Sequence, residues 1–246
     1  MDDLAALRLM MDWGADEALG DHPVSRLDLA PALIPRAVLA AVSVPQDARP
    51  ATDLSGVLTV DALYDAWAAF DGCPLRATAT STVRPSGTVG ARVVMIGDAP
   101  SADDDRSGSA FSGATGALVD RVLGSAGLDR NQVLFAQLVP WRPPGNRPPS
   151  DAEVRACVPF ILRLLRLSGA THTVLIGQAA CRTLLGTDER LSRLRGRWQE
   201  LVLQDGHPPM SALAMAPAEN WLRSASSRRE TWSDLILLRT TLDSTA

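Results

Sequence analysis

The sequence predicts a three-layer α/β/α domain with a doubly wound, mostly parallel sheet and an N-terminal helical extension. Three observations predict it. Short apolar runs recur at Val93–Gly97, Val133–Val139, Thr173–Ile176 and Ser211–Met215, each the length of a buried strand. Stretches of helical length and periodicity alternate with them, the pattern that gives parallel sheets covered on both faces. Apolar residues make up 46% of the 246 residues and mean hydropathy is +0.03, so one domain can bury a sizeable core.

The elements follow in chain order. Residues 2–19 read as an amphipathic helix with Leu4, Leu7, Met11 and Ala15 on one stripe. Residues 21–56 carry many prolines and few periodic runs, which reads as a linker or wrap. The division therefore falls between an extension, 1–56, and a domain, 57–246. Val60 to Phe70 is a helix closed by Asp71-Gly72 and Pro74, and Arg76 to Ala91 is Thr-, Ser- and Gly-rich and irregular. The compact domain opens with the strand Val93–Gly97. A helix over 117–126 follows, apolar at Leu118, Val119, Val122 and Leu123 and stopped at Gly127. After the strand Val133–Val139 comes a proline-rich loop, 141–149. Ser150, with Glu153 three residues on, caps a helix that runs to about Leu167. Thr173–Ile176 is a strand and Gln178–Leu185 a helix. Strands Gln199–Leu203 and Ser211–Met215 are joined by a turn at residues 205–209, and Arg229–Leu238 closes the chain as a helix. No internal repeat is visible.

Composition narrows the function. No apolar run approaches the ~18 residues of a membrane span. Met1-Asp2-Asp3 lacks the basic region of a signal peptide, so the cytoplasm is the expected compartment, and a monomer the expected state. The net charge of −4 disfavours a nucleic-acid partner overall. Locally, however, Arg193, Arg195, Arg197, Arg223, Arg228, Arg229 and Arg239 crowd the last quarter. All 24 basic residues are Arg, a bias that base composition of the genome would produce. With no Lys, Schiff-base chemistry through a lysine amine is excluded. Cys73, Cys157 and Cys181 are sparse and odd in number, without a CxxC pair, and read as buried or free thiols rather than a disulfide framework.

The chemistry-bearing segment begins where the first strand ends. Gly97-Asp98-Ala99-Pro100 leads into Asp103-Asp104-Asp105 and then Gly108-Ser109-Ala110-Phe111-Ser112-Gly113. Ligand sites in open α/β sheets sit at such carboxyl ends. The glycines admit close backbone approach, and Phe111 offers a flat face for stacking. Each residue also has a bland reading on its own: Asp98 as a turn or cap residue, Phe111 as core, and the acidic run as a solvated loop.

This loop resembles the first motif of family 4 uracil-DNA glycosylases, Gly-Glu-x-Pro-Gly…Glu-Asp…Gly-x-x-Phe-x-Gly. Gln137-Leu138-Val139-Pro140-Trp141-Arg142-Pro143-Pro144-Gly145-Asn146-Arg147 is similar to the family's Asn-x-x-Lys-Cys-Arg-Pro-Pro-Gly-Asn-Arg stretch. Leu175-Ile176-Gly177-Gln178-Ala179-Ala180 looks like its strand-to-helix turn, and Arg195-Gly196-Arg197-Trp198 like its Arg-Gly-x-Trp. The resemblance covers roughly residues 58–240. It implies that the acids Asp98 and Asp104 serve catalysis. Asp98 stands for the motif's Glu, which serves water and sugar, and Asp104-Asp105 match the Glu-Asp pair. Phe111 would stack on a flipped base, Gln137 would read its edge, and Ala99 and Pro100 would line the base site. Arg142, Arg147, Arg223 and Arg228 would contact DNA.

Three departures stand out. Gln137 replaces an Asn with the same amide but a longer reach, and alone reads also as a strand-end residue without a ligand. The family's iron–sulfur cluster has four Cys. Here Cys73 and Cys157 match two, while Phe70 and Trp141 occupy the other positions, so no cluster and no cofactor are expected. The second motif, His-Pro-Ser/Ala…Leu-Leu-Arg, looks like Ala216-Pro217-Ala218…Trp221-Leu222-Arg223, with Ala216 in place of the His that would donate to the leaving base. His207 lies before the last strand, His172 at the far end of its strand, and His22 in the extension. The resemblance implies a monofunctional enzyme that removes uracil, or another deaminated base, from DNA. The competing readings are a catalytically silent module that binds damaged or single-stranded DNA, and an interaction protein using the acidic surface.

Overall fold

A computed structural model describes residues 54–203 and 207–244. The helix expected over 2–19 and the proline-rich stretch as far as residue 53 lie outside the described residues.

Six strands form one sheet: β1 (Ser86–Gly87), β2 (Val93–Gly97), β3 (Val133–Gln137), β4 (His172–Ile176), β5 (Trp198–Leu201) and β6 (Met210–Met215), in the order β1-β3-β2-β4-β6-β5. The four inner strands are parallel, and β1 and β5 pair antiparallel at the two edges. The mostly parallel, doubly wound sheet is thus as the apolar runs indicate. Seven α-helices accompany it among the described residues: α1 (Val60–Ala69), α2 (Ala102–Ser107), α3 (Gly113–Ser125), α4 (Asp151–Ser168), α5 (Gln178–Leu185), α6 (Leu191–Leu194) and α7 (Ala225–Ser244).

Side chains alternate across the sheet and so make two cores. Val94, Ile96, Leu134, Ala136 and Leu175 face one side, against Trp67 of α1, Phe160 and Leu164 of α4 and Cys181 of α5. Val93, Met95, Val133, Phe135 and Val174 face the other, against Val119 and Leu123 of α3 and Leu235 and Leu238 of α7. Leu54 already packs into the first core. Every residue of β2, β3 and β4 is buried, which explains why their sequences are mostly apolar, with Gln137, His172 and Thr173 as the polar members. No helix among the described residues is long and apolar enough to cross a membrane.

Several element boundaries differ from the expected ones, and α2 replaces an expected loop. Ser101 caps it by accepting the Asp104 N–H at 3.2 Å while Asp104 accepts the Ser101 N–H at 3.0 Å, so the acidic run is a helix first turn. The segment expected to be irregular, 76–91, contributes the two-residue strand β1, held to β3. α3 begins at Gly113 rather than 117, β3 ends at Gln137 rather than 139, and α7 runs from Ala225 to Ser244 rather than 229–238.

Candidate functional site

Strand order fixes where a ligand can lie. The chain passes from β2 to β3 on one side and returns past β2 to β4 on the other. The crevice between the carboxyl ends of β2 and β4 is therefore the switch point of the sheet. Gly97 pairs in register with Gln137 on β3 and with Ile176 on β4. Asp98, Gln137 and Gly177 are brought to one edge by that register alone. Ala216 joins them at the end of β6, beside the Gly177 N–H, which donates to Met215 at 3.0 Å.

Asp98 turns toward α5. Its Oδ1 accepts the Ala180 N–H at 2.7 Å, and the N–H groups of Ala179 and Gln178 also reach the carboxylate. Gly177 makes this possible: at φ 118° it takes a backbone form that suits glycine, and a Cβ there would overlap the Asp98 carboxylate. Burial pushes the Asp98 carboxyl above the usual carboxylate range, against the pull of those N–H groups.

Phe111 is 3% exposed and lies 5.4 Å from the Phe135 ring. Its φ of 50° is a strained backbone form for a side chain of this size. Arg130 holds it there by donating to the Phe111 carbonyl at 2.9 Å and to Ser86 Oγ at 2.8 Å, with its guanidinium 4.7 Å above the Phe135 ring. Sequence reasoning passed over Arg130, whose partner is 19 residues away.

Gln137 is 4% exposed. Its Nε2 donates to Asp104 Oδ2 at 3.3 Å, and its Oε1 is buried without a donor among the described residues. A Cβ on Gly97 would overlap Gln137 Oε1 and lie 2.9 Å from Phe111 Cζ. Amide, ring and glycine therefore meet at one point. Asp104, 1% exposed, also accepts the Ser112 N–H at 2.6 Å and its hydroxyl at 2.9 Å. Asp105 accepts the Thr80 and Ser81 N–H groups at 2.8 and 3.2 Å, tying the acidic turn to the segment before β1. Ala99 is half-buried against the first core and Pro100 is buried.

The four arginines expected at DNA all follow carboxyl ends of β3 or β6. Arg223 and Arg228 are exposed, with Arg228 donating to Leu222 O at 3.3 Å. Arg142 donates to Asn146 Oδ1 at 2.8 Å. Arg147 forks onto both oxygens of Glu153, at 2.8 and 2.6 Å. His172 sits at the amino end of β4, buried against Trp198, and burial lowers its pKa. His207 precedes β6, again at the amino end. Neither histidine is near the crevice. The Ala216 carbonyl accepts the Trp221 indole N–H at 2.7 Å.

The residues do not fit a four-cysteine cluster. Cys73 and Cys157 are buried free thiols, in an apolar core shared with Trp141, Trp67, Phe160 and Phe70. Their hydrogen bond and burial hold the Cys157 thiol far above its usual pKa. Trp141 is 1% exposed, with its indole N–H on Thr82 Oγ1 at 3.0 Å. Among the described residues, no three His, Cys, Asp or Glu side chains gather as a metal site.

The chain is similar to known proteins over part of its length. The type-4 uracil-DNA glycosylase of Pyrobaculum aerophilum is 31% identical over 115 residues, 47% of this chain and 59% of that protein. That of Archaeoglobus fulgidus is 32% identical over 133 residues, 52% and 67% of the two chains, and that of Thermotoga maritima 30% over 125 residues, 50% and 65%. The chain thus spans about three fifths of the first of these proteins. The pattern of the uracil DNA glycosylase superfamily matches residues 85–236, from the edge strand β1 into α7, and takes in the whole crevice. By that match, the chain belongs to the uracil-DNA glycosylase superfamily.

Proposed function

We propose that this chain is a monofunctional DNA glycosylase that removes uracil, and other deaminated bases of the same edge chemistry, in base excision repair. One observation carries the reading: a buried amide oxygen without a donor among the described residues, Gln137 Oε1, lies beside an aromatic ring at the switch point of the sheet. A buried acceptor of this kind costs about 1–3 kcal/mol unless something donates to it. A base flipped out of the stack supplies both an N–H and a π face.

In this reading the base enters between Phe111 and Gln137, over the backbone of Ala99 and Pro100. As the glycosidic bond breaks, positive charge develops on the sugar and negative charge on the base. Asp98 orients water and offsets the sugar charge. The N–H groups of α5 fix its direction. Arg142, Arg147, Arg223 and Arg228, which follow the carboxyl ends of β3 and β6, contact phosphates. The absence of Lys is consistent with hydrolysis without a Schiff-base lyase step. The names of the type-4 relatives support uracil as the base. The enzyme works as a monomer in the cytoplasm.

A second reading is favoured by Ala216, which brings no donor toward the leaving base, and by the helix N-terminus that takes up Asp98 Oδ1. It is a silent module of the same fold that binds damaged or single-stranded DNA. An end-labelled oligonucleotide with one uracil, incubated with the protein and then treated with alkali, separates the two. Alkali-dependent cleavage that is lost in Asp98→Ala supports the enzyme. Binding without cleavage supports the module.

A further inference from the structure

The outer face of α7 carries an exposed apolar stripe beside a cleft. Thr231, Asp234, Leu235 and Leu238 turn inward. On the opposite side Arg229, Trp232, Ser233 and Ile236 share one face at helical spacing. Trp232 is 47% exposed and Ile236 41%, whereas Trp67, Trp141 and Trp221 are buried. Arg229 and Ser233, on either side of Trp232 in sequence, line a cleft of about 370 Å3 together with Ser192 of α6 and the Arg195-Gly196 loop. That volume lies in the range of ligand pockets, about 300–1,000 Å3. The two acids of the cleft are already taken. Arg195 donates to Asp234 at 2.9 and 2.7 Å and also pairs with Glu230. Arg229 therefore lines the cleft with no ion-pair partner among the described residues.

The cleft lies at the same end of the sheet as the crevice. β5 runs antiparallel to β6 with Trp198 opposite Leu213, so Arg195 and Gly196 lie level with the carboxyl end of β6. Neighbouring strands are about 4.8 Å apart, which makes the step from the β2–β4 switch point across β6 to β5 roughly 10–15 Å. A nucleic-acid strand rises about 3.4 Å per nucleotide, so that step is about three or four nucleotides long. The chain leaving β6 at Ala216 reaches α7 through Arg223 and continues to Arg228, both exposed. Exposed arginines thus follow one another from the crevice to Trp232. Guanidinium groups suit phosphates, and an open aromatic face suits an unpaired base, because bases in a duplex are already stacked on each other. We propose that the cleft between α6 and α7 is a second DNA site, in which Trp232 stacks on an unpaired base about three or four nucleotides from the flipped one and Arg229 holds the neighbouring phosphate. Ile236, one turn further along α7, extends the platform. The site gives the protein a preference for single-stranded DNA on one side of the lesion. The proposal rests on the crevice being a DNA-base site, but it concerns strand binding and needs no bond cleavage.

The experiment uses dye-labelled strands with one uracil, flanked on the 5′ side only, on the 3′ side only or on both sides, and the fully paired duplex of the last. Binding is read by fluorescence anisotropy and base release by alkali cleavage, for the wild type, Trp232→Ala, Trp232→Phe and Arg229→Ala. We expect the wild type to bind one of the one-sided strands more tightly than the other, and the two-sided single strand more tightly than its duplex. Trp232→Ala should weaken binding of the favoured strand by about 5- to 150-fold, the loss of one base stacked on an aromatic ring, and so erase the preference between sides. Trp232→Phe keeps a ring and should restore most of the preference. Arg229→Ala should reduce the slope of log affinity against log salt by about 0.7, one phosphate contact on a single strand. Equal loss on both one-sided strands, no loss on either, or tighter binding of the duplex by the wild type would overturn the proposal. So would self-association that Trp232→Ala abolishes while DNA affinity stays the same, since the stripe would then be a protein contact; sedimentation velocity reads this. If Trp232→Ala does not fold, Arg229→Ala and the side preference of the wild type decide. Side-selective strand binding without release of uracil sinks the enzyme and leaves the cleft. Release of uracil without any side preference does the reverse, and no binding to any strand overturns both.

Discussion

Phe111 combines two demands that rarely coincide: a strained backbone at φ 50° and a ring 3% exposed. Arg130, clamped on the Phe111 carbonyl at 2.9 Å and paired to Asp120 at 2.6 Å, holds that conformation in place. A ring kept in one orientation meets a base without a further loss of rotamer freedom. Base–aromatic stacking contributes about 1–3 kcal/mol, so Phe111→Ala should slow uracil release by roughly 5- to 150-fold. Single-turnover assays with excess enzyme, at a temperature where circular dichroism finds the variant folded, check this. Wild-type rates would remove Phe111 from the site. Gly97 sets a complementary test. In Gly97→Ala the new methyl would overlap Gln137 Oε1, so uracil affinity should drop at least about 10-fold, a cost of ~1.4 kcal/mol, with the fold retained. Titration with a uracil oligonucleotide reads it.

Among the elements, α4 has the start most fully written in sequence. Ser150 accepts the Glu153 N–H at 3.4 Å, and Glu153 returns to the Ser150 N–H at 2.7 Å. Arg147 then forks onto the same carboxylate, which brings the Glu153 pKa down to about 2. Because the folded value lies below the ordinary one of 4.5, the stabilisation is present above about pH 4.5 and is lost as pH falls toward 2. Glu153→Gln should lower stability at pH 7 by about 1–2 kcal/mol, since the Arg147 side chain is half exposed. It should also flatten the loss of stability between pH 4.5 and 2. Urea unfolding at several pH values measures both. The Ser150–Glu153 cap was legible because its partners are three residues apart, whereas the Arg147–Glu153 pair was not read from the sequence, which set Arg147 at DNA. The buried strands were legible for a related reason: a strand covered on both faces is mostly apolar. What was hidden depends on distant pairing. β1 is two residues long and exists only through β3. The Asp98–Ala180 bond spans 82 residues. α2 was hidden differently, since three consecutive Asp look solvated until the Ser101–Asp104 cap is noticed. Motif spacing brought Asp98, Phe111 and Gln137 to one place, but only the folded structure reveals what each already holds.

At the scale of the whole molecule, the junction of α1 with α4 is a packed apolar seam. Trp67 stacks on Phe160 at 4.9 Å, Phe70 lies 5.1 Å from Phe160, and the Cys73 and Cys157 thiols close the seam. Two thiols leave an iron–sulfur cluster two ligands short. Protein purified without air should show no absorbance near about 400 nm and no bound iron, and its melting temperature should be indifferent to chelators. A visible band or stoichiometric iron would mean that other groups complete the set.

The same seam bears on the conditions under which the protein can be made. A chain whose folded form waits on a metal inherits the scarcity of that metal and its sensitivity to oxygen. Here the joint consists of rings and two buried thiols, already present when translation ends. Cells short of iron would still assemble this molecule. Its supply would then be set by synthesis rather than by the delivery of a cluster.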